Sequence, residues 1–403
     1  MAIHLLENEE YFDRPFLYGD ENGDYFDNGP RFICYCRGVL EAARCLGLEP
    51  DIIHAHDWQA GLIPAYLRTL YSDDVLFRRT KTLFTIHNLG YQGVFPPWVF
   101  PLSGMPESEF NWQRMEYYGN VSFLKSGIVY ADAVSTVSET YAREITTEQL
   151  GFGLQGVLAQ RRTVLSGILN GIDPEEWNPD TDTTLPARYT VSDLKGKARC
   201  RTALLEKFGL SAAEGVPVFG VVSRLDSQKG FDLLQEAMEE LAALELRLVI
   251  LGAGDRENNE AMQLLADRHA GQMGLLLKFD SDAARLVYSG SDAFLMPSRY
   301  EPCGLGQMIA MRYGSLPVAF STGGLADTVF DLDENPETGN GFAFSEYSAA
   351  ALVDTVRRAI KAFGEPKRPR WKTAMDRGMR QDFSWKRSAE KYGELYKRLV
   401  KNT

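Results

Sequence analysis

Residues 293–313 read AFLMPSRYEPCGLGQMIAMRY, and the pattern within this stretch changes from that of a strand to that of a helix. The stretch begins with AFLMP, an apolar run typical of a buried strand, and ends with MIAMRY, which has helical character. Between the two lie a glutamate, a proline, a thiol and two glycines. A glutamate at the carboxyl end of a strand, beside glycines that open a helix, is well placed to bind a ligand.

The same alternation of strand and helix recurs along the whole chain. Short apolar runs rich in branched residues alternate with helical patterns, which indicates parallel sheets built from strand–helix–strand units. In the first half the pattern predicts strands at residues 51–56, 81–87, 133–138 and 165–170, and helices at 31–46 and 57–71. In the second half it predicts strands at residues 216–224, 246–252, 275–279, 293–297 and 316–321, and helices at 230–242 and 349–362. The predicted fold class is α/β, with two doubly wound, Rossmann-like domains.

The connection between the two series of strands is the segment 171–190, GIDPEEWNPDTDTTLPARYT. It is rich in Pro, Asp and Thr and has no helical or strand period, so we interpret it as a linker with turns. We therefore predict a first domain at residues 1–172, a second at 173–380, and a C-terminal helix within 381–403 that crosses back to the first. Because such sheets bind ligands at the carboxyl ends of their strands, we expect the two domains to face each other across a cleft.

The composition excludes several classes of partner. The 403 residues include 43 Lys and Arg against 55 Asp and Glu, a formal net charge of −12, which argues against nucleic acid or an anionic membrane. No apolar run is long enough to span a bilayer, and the N-terminus lacks the pattern of a signal peptide. Five cysteines form an odd, sparse set, so we expect reduced thiols and a cytoplasmic protein. The oligomeric state is not predicted.

The stretch VVSRLDSQKG, residues 221–230, places two cations where a predicted strand gives way to a helix. Arg224 lies at the strand end and Lys229 just before the helix. Two cations beside helix amides form a site for a diphosphate. The alternative is that both are simply solvated cations in a loop.

The stretch STGGLADT, residues 321–328, also follows a strand and opens a helix. Thr322, Gly323 and Gly324 would let backbone amides approach an anion, because glycine has no Cβ to block it. The alternative is a tight turn. The spacing matches neither the dinucleotide fingerprint nor the P-loop, so neither a nicotinamide enzyme nor a P-loop nucleotidase is indicated.

Glu301, in the opening stretch, would project from a strand end beside the amides of residues 303–305. A carboxylate that accepts hydroxyl hydrogens next to such amides suits a sugar, which offers many donors and little charge. The alternative is an ion pair between Glu301 and Arg299 or Arg312. A nucleophilic Cys303 is disfavoured because no histidine follows it in its own domain to activate it.

Two strand ends in the first half carry histidines, in HAHDW (residues 54–58) and TIHN (residues 85–88). His54 and His56 face the same side of a strand, as in the H-x-H pair of a metal hydrolase, and His87 could be a third ligand. A metal-dependent hydrolase is therefore one alternative function. A second alternative is that these histidines only cap backbone groups.

Seven motifs together are similar to those of one known family. HAHDW, TIHNLGYQG, FLKSGIVYADAVSTVSETYAREI, SGILNGID, SRLDSQKG, PSRYEPCGLGQ and STGGLADT occur in the order and approximate spacing of bacterial glycogen synthases and plant starch synthases. The chain thus resembles glycosyltransferase family 5, whose members move glucose from ADP-glucose to the non-reducing end of an α-1,4-glucan. The resemblance covers nearly the whole chain and implies the two-domain GT-B fold. It also implies a retaining, metal-independent reaction that needs no cofactor, with ADP-glucose and a glucan such as glycogen as the binding partners.

The resemblance assigns roles to individual residues. Arg224 and Lys229 would hold the diphosphate and stabilise the departing charge. Glu301 would bind glucose hydroxyls, and His87 would lie near the glucose from the other domain. The implied catalytic residues are His87, Arg224, Lys229 and Glu301. The implied substrate-binding residues are Asp57, Asn88, Phe279 (an adenine platform), Cys303, Gly304, Leu305, Thr322, Gly323 and Gly324.

The chain departs from the family pattern at two places. Members open with a strand and a K-x-G-G-L loop, whereas residue 1 of this chain resembles the middle of their first domain. The expectation is an N-terminally incomplete first domain, prone to aggregation and weakly active or inactive, with a catalytically impaired glucan- or nucleotide-binding fragment as the alternative. In addition, Phe320 stands where the family usually carries an arginine, which leaves one cation fewer near the phosphates.

Overall fold

The computed structural model describes residues 2–20 and 23–401. The chain forms two compact units, the first comprising Met1–Ile168 and Glu390–Thr403 and the second comprising Leu169–Ala389. The sequence predicts boundaries after residues 172 and 380, whereas these units divide after Ile168 and Ala389.

The first unit is built on a parallel sheet of four strands. Its strands in chain order are β1 Gly19–Asp20, β2 Gly23–Asp24, β3 Ile52–His56, β4 Lys81–Ile86, β5 Val94–Phe95, β6 Glu116–Tyr117, β7 Asn120–Ser122, β8 Ala133–Thr136 and β9 Leu165–Gly167. Strands β3, β4, β8 and β9 form the parallel sheet in that order, β5, β7 and β6 form a small antiparallel sheet, and β1 and β2 pair alone. Its helices are α1 Glu9–Phe12, α2 Asn28–Cys45, α3 Leu62–Arg68, α4 Phe123–Tyr130, α5 Glu139–Glu144 and α6 Gln155–Gln160.

The second unit contains a parallel sheet of six strands. These are β10 Val218–Val222, β11 Arg247–Gly252, β12 Met273–Leu277, β13 Ala293–Met296, β14 Leu316–Phe320 and β15 Phe342–Phe344. Its helices are α7 Lys195–Lys207, α8 Phe231–Ala242, α9 Arg256–Arg268, α10 Ser281–Gly290, α11 Gly306–Arg312, α12 Gly323–Thr328, α13 Ala349–Gly364 and α14 Pro369–Arg380. The last helix, α15 Trp385–Lys401, begins in this unit, and its residues from Glu390 onward belong to the first unit. The strand order β12-β11-β10-β13-β14-β15 is that of the doubly wound fold. The prediction of two parallel α/β sheets is therefore confirmed.

The structure differs from the sequence prediction in its shortest strands and in one helix. Strands β1, β2, β5, β6, β7 and β15 are not predicted by the sequence, because runs of two or three residues are too short to show a pattern. The helix predicted at residues 57–71 is divided into a 3-10 turn, Trp58–Ala60, and helix α3. The break comes at Gly61, where a Cβ would stand 2.0 Å from the carbonyl oxygen of Phe123, so only glycine allows the two backbones to approach.

The segment 171–190 contains turns, as predicted, but it is packed against the second unit. The hydroxyl of Tyr189 donates to the carbonyl of Tyr313 at 2.8 Å, and the hydroxyl of Tyr313 donates to Asp182 at 2.6 Å. The guanidinium of Arg285 lies 4.3 Å from the ring centre of Trp177. These contacts make the segment part of the second unit rather than a free linker.

The last helix, α15, ends on the first unit. Leu395 is buried in a cluster with Leu83, Ala133 and Ile168, three residues of the first unit's parallel sheet and its edge. The helix therefore covers one side of that sheet. Across residues 2–20 and 23–401, no helix combines the length and the hydropathy that crossing a membrane requires.

Candidate active site

The loops of interest in the second unit follow two neighbouring strands, β10 and β13. In this sheet β11 and β12 lie on one side of β10, and β14 and β15 lie on the far side of β13. The strand order therefore reverses between β10 and β13, which is the topological switch point of the sheet. Doubly wound sheets bind ligands at the carboxyl ends of the strands at this point. A cavity of about 200 Å³ lies there, lined among others by Lys229, Ser298 and Glu301.

Lys229 and Glu301 come together from these two loops. The ammonium Nζ of Lys229 lies 2.6 Å from Oε2 of Glu301. The hydroxyl of Ser298 donates to the same oxygen at 3.1 Å. Because the Glu301 side chain is only 7% exposed, this pair is shielded from water and stronger than a surface ion pair. The structure thus brings two of the predicted site residues, Lys229 and Glu301, into direct contact.

The alternative partners considered for Glu301 are wrong. Arg299 instead pairs with Asp232 at 2.5 Å. Arg312 donates to the carbonyls of Trp177 and Met379 at 3.3 and 3.1 Å. Neither arginine therefore neutralises the Glu301 carboxylate.

The sequence around Lys229 explains its position. Asp226 begins a 3-10 turn, Ser227–Lys229, and its side chain accepts from the amide of Lys229 at 3.0 Å. Gly230 ends the turn with φ 78°, where a Cβ would lie 2.0 Å from the carbonyl oxygen of Pro297. The N-cap Asp226 and the C-cap Gly230 therefore allow this turn to pack closely against the loop that follows β13.

Arg224 lies in the same loop but closer to solvent. Its guanidinium pairs with Asp226 at 2.9 Å and donates to Gln228 at 3.2 Å, and its side chain is 45% exposed. Asp226 thus contacts both residues: it accepts a hydrogen bond from the backbone amide of Lys229 and forms an ion pair with the side chain of Arg224. The sequence interpretation missed Asp226 and Ser298, although an aspartate three residues before Lys229 is a typical N-cap signal.

The predicted role of the Gly324 amide needs correction. The amide of Gly324 donates to the carbonyl of Glu301 at 3.0 Å, so it is already engaged and does not point to an anion as predicted. A Cβ on Gly323 would lie 2.0 Å from the carbonyl oxygen of Glu301, and one on Gly324 would lie 1.9 Å from that of Cys303. These glycines, which follow the buried Thr322, let helix α12 pack against the loop that carries Glu301.

The other predicted residues of this unit fall into two groups. Gly304 and Leu305 line the cavity, as their predicted role requires. Cys303 is buried, and burial raises the pKa of its thiol to about 12, so it is protonated and a poor nucleophile. Phe279 is 78% exposed near the end of β12 and is not among the residues that line this cavity.

The first unit contains a separate cluster of three histidines. His54 is hydrogen-bonded through both ring nitrogens, to the hydroxyls of Tyr396 at 2.7 Å and Thr85 at 2.6 Å. Nδ1 of His56 lies 3.0 Å from Nε2 of His87. Burial lowers the pKa of all three rings, that of His54 to about 3, so the cluster is neutral at physiological pH.

This geometry does not suit a metal hydrolase. Both nitrogens of His54 are occupied, and one nitrogen of His56 and one of His87 are used in their mutual hydrogen bond. Across residues 2–20 and 23–401, no three or more His, Cys, Asp or Glu side chains are arranged to hold a metal ion. The metal-hydrolase alternative is therefore wrong. The backbone-capping alternative is also wrong for His54, whose partners are side chains.

Asp57 connects the β3 strand end to His87. Its Oδ1 accepts from the backbone amide of His87 at 2.7 Å, and its own backbone has φ 55°, which is uncommon for a residue other than glycine. Burial raises the pKa of this carboxyl to about 6, although hydrogen bonds from the amides of His87 and Asn88 act in the opposite direction. The side chain of Asn88 is used in a local turn, accepting from the amide of Gly90 at 2.9 Å.

Two partners in this cluster were not predicted from the sequence. Thr85 lies on β4, where its hydroxyl also contacts that of Ser135 at 2.6 Å. Tyr396 comes from the C-terminal helix, 342 residues from His54. Nothing in the local sequence could indicate the second contact, because it depends on where helix α15 packs.

Comparisons with known proteins agree with these observations. The family described as "Starch synthase catalytic domain" matches residues 1–160, and "Glycosyl transferases group 1" matches residues 205–375. The chain is 48% identical to "Glycogen synthase" of Syntrophotalea carbinolica over 400 residues, covering 99% of this chain and 82% of that relative. It is likewise 48% identical to "Glycogen synthase" of Geotalea daltonii, with the same coverage.

A solved structure is also similar over most of the chain. It is "Catalytic domain of Starch Synthase IV from Arabidopsis thaliana bound to ADP and acarbose", with a TM-score of 0.88, 36% sequence identity, and coverage of 95% of this chain and 79% of that one. The predictions of family, GT-B fold class and glycosyltransferase activity are thereby confirmed. An identity of 48% across almost the entire chain establishes that this protein belongs to the glycogen and starch synthase family of glycosyltransferases.

Proposed function

We propose that this protein transfers glucose from ADP-glucose to the non-reducing end of an α-1,4-glucan, with retention of configuration and without a metal ion. The observation that carries the proposal is the Lys229–Glu301 pair, with a separation of 2.6 Å, at the switch point of the second unit's sheet. The ADP and acarbose bound in the similar starch synthase support a nucleotide and a glucan-like ligand here.

Lys229 is suited to bind the diphosphate of the donor. Its ammonium has three donors, and Glu301 uses one, so two remain for phosphate oxygens. Arg224 can exchange its contacts with Asp226 and Gln228 for a phosphate, because those contacts lie near the surface and are weak. Both cations would then stabilise the negative charge that develops on the departing ADP.

Glu301 is suited to orient the sugar. Lys229 and Ser298 both contact Oε2, so the carboxylate is held in one position before the sugar arrives. The carboxylate can accept hydrogen bonds from glucose hydroxyls, while Gly304 and Leu305 line the same cavity. A fixed acceptor of this kind reduces the conformational freedom that must be lost when the donor binds.

The reaction we propose is direct. The acceptor 4-hydroxyl oxygen forms a bond to the anomeric carbon as the bond to the ADP oxygen breaks, and the departing phosphate takes the hydroxyl proton. His87, Asp57 and Asn88 of the first unit are proposed to contact the donor or the acceptor. The neutral state of His87 suits a hydrogen bond to an uncharged sugar rather than a bond to phosphate.

The experiment is to measure ADP release from ADP-glucose with glycogen as acceptor, with and without EDTA, and to repeat it with UDP-glucose. We expect ADP release and α-1,4 chain extension, unaffected by EDTA. Lys229→Ala should lower turnover at saturating ADP-glucose by about 10²–10³, the effect of losing one preorganised donor. Lys391→Ala is the matched control, because it breaks another lysine–glutamate ion pair, with Glu139, between two exposed side chains. Near-normal turnover of Lys229→Ala would contradict the assigned role, and absence of ADP release would contradict the function.

A further inference from the structure

A second cavity lies at the amino ends of the strands in the second unit's sheet. It has a volume of about 390 Å³, and Gly215 and Asp292, which precede strands β10 and β13, are among its lining residues. The Lys229–Glu301 pair lies beyond the other end of these strands. Because β10 contains five residues at about 3.3 Å each, roughly 16 Å of strand separates the two places. A ligand of this second cavity would therefore not occupy the proposed donor site.

The volume and the walls of this cavity suit a small organic molecule. A volume of 390 Å³ lies within the usual range for ligand pockets and far exceeds that of a few waters. Phe363, Trp371 and Met375 form an apolar side of the cavity. Phe363 and Trp371 are themselves buried, so this wall is rigid.

The charges around the cavity are unbalanced. Four cations line it (Lys197, Arg201, Arg368 and Lys372) against two acids (Glu214 and Asp292), an excess of two positive charges in a chain whose formal net charge is −12. The ammonium of Lys197 donates to three backbone carbonyls at 2.9 Å, and Arg201 pairs with Asp292 at 3.1 Å. These two cations are therefore already engaged by oxygen atoms of the protein.

Arg368 and Lys372 are the cations that remain for a ligand. In the described part of the chain neither side chain has an acidic partner. Arg368 is half-buried and its guanidinium lies 3.5 Å from the ring centre of Phe363, while Lys372 follows one helical turn later on α14. The backbone holds Arg368 at φ 51° and Lys367 at φ 62°, two consecutive residues in a conformation that costs about 1 kcal/mol or more each. With the guanidinium placed against the Phe363 ring, Arg368 lines the cavity.

We propose that this cavity is a binding site for a phosphate monoester with an apolar or planar body, separate from the substrate site. A phosphate monoester carries close to two negative charges at neutral pH, which matches the excess of two cations. Arg368 would bind two phosphate oxygens through its planar fork, and Lys372 would contribute a point charge. The body of the ligand would contact Phe363, Trp371 and Met375.

The test is isothermal titration calorimetry of the full chain with phenyl phosphate, inorganic phosphate and phenol at constant ionic strength. We expect phenyl phosphate to bind with one site per chain and more tightly than either fragment. Arg368→Asn together with Lys372→Ala should weaken binding at least tenfold. Asparagine is chosen because it tolerates the positive φ at this position. The control is Lys367→Asn with Lys361→Ala, which removes the same charge from neighbouring residues that do not line the cavity.

Three results would overturn the proposal: no phenyl phosphate binding, equal affinity in the double variant and its control, or loss of binding in Lys229→Ala. The last result would place the ligand at the proposed donor site instead. Lys372→Ala alone, at an exposed position, provides the comparison if the double variant unfolds, and it should weaken binding severalfold.

Discussion

Replacing Asp57 by asparagine tests the electrostatics of the first unit's histidine cluster. Burial raises the pKa of the Asp57 carboxyl from its ordinary value of 3.8 to about 6. The folded protein therefore holds this proton to a higher pH than the unfolded chain does, and ionisation costs folding free energy as the pH rises through this window. A difference of about two pKa units corresponds to about 3 kcal/mol at pH values above 7.

Asparagine removes that cost while preserving the local structure. Its side-chain oxygen can still accept from the amide of His87, and asparagine has the same shape as aspartate, so the substitution adds no strain to the backbone at φ 55° and ψ −176°. We therefore expect Asp57→Asn to be more stable than the wild type at pH 7.5, by up to about 3 kcal/mol. The gain should shrink toward zero as the pH falls to about 4.

The assay is urea unfolding of both proteins at pH 4.5, 6.0 and 7.5. The matched control is Asp280→Asn, because the pKa of the partly exposed Asp280 is lowered by hydrogen bonds from Lys278 and from the amide of Ala283 at the start of helix α10. Its effect should have the opposite sign, a loss of stability at neutral pH that disappears in acid. A stability difference for Asp57→Asn that is flat with pH, or a loss at pH 7.5, would refute the assigned burial.

Three further changes test other contacts. Gly324→Ala places a Cβ 1.9 Å from the Cys303 carbonyl oxygen, so it should lower the free energy of unfolding in urea by about 3 kcal/mol. Gly156→Ala, which has open space around the new Cβ, is the control and should be neutral or slightly stabilising. Equal effects of the two substitutions would contradict the close packing at Gly324. Alkylation by iodoacetamide at pH 8, followed by mass spectrometry, measures the accessibility of the thiols. The exposed thiol of Cys45 should react and the buried thiol of Cys303 should not. Rapid labelling of Cys303 would show that its thiol is accessible. Tyr396→Phe removes the hydrogen bond between the tyrosine hydroxyl and His54, so it should lower the free energy of unfolding by about 1 kcal/mol. No change in the unfolding free energy would mean that water replaces that bond.

Local sequence was sufficient to predict most of the secondary structure. Each predicted strand occurs in the structure, because parallel strands buried on both faces are continuous apolar runs, as in β11, whose residues after Arg247 are all buried. The strand ends at Arg224, Lys229 and Glu301 were also predictable, since a loss of apolar character marks the point where a strand leaves the core. Family motifs then added the chemistry.

The partners of these residues could not be predicted in the same way. The sequence could not distinguish Lys229 from Arg299 or Arg312 as the partner of Glu301, because that choice depends on how the loops after β10 and β13 pack. Gly324 appeared suited to bind an anion, but the carbonyl of Glu301 occupies its amide.

The two α/β sheets, their strand ends and the family could thus be inferred from the amino-acid sequence, because periodicity and local motifs encode burial and turns. The pairing of Lys229 with Glu301, the contact between Tyr396 and His54, and the engagement of the Gly324 amide depend instead on the packing of distant elements. These contacts join residues 72 and 342 positions apart in the first two cases, and their geometry is set by packing of whole elements. A local pattern carries no information on such distances.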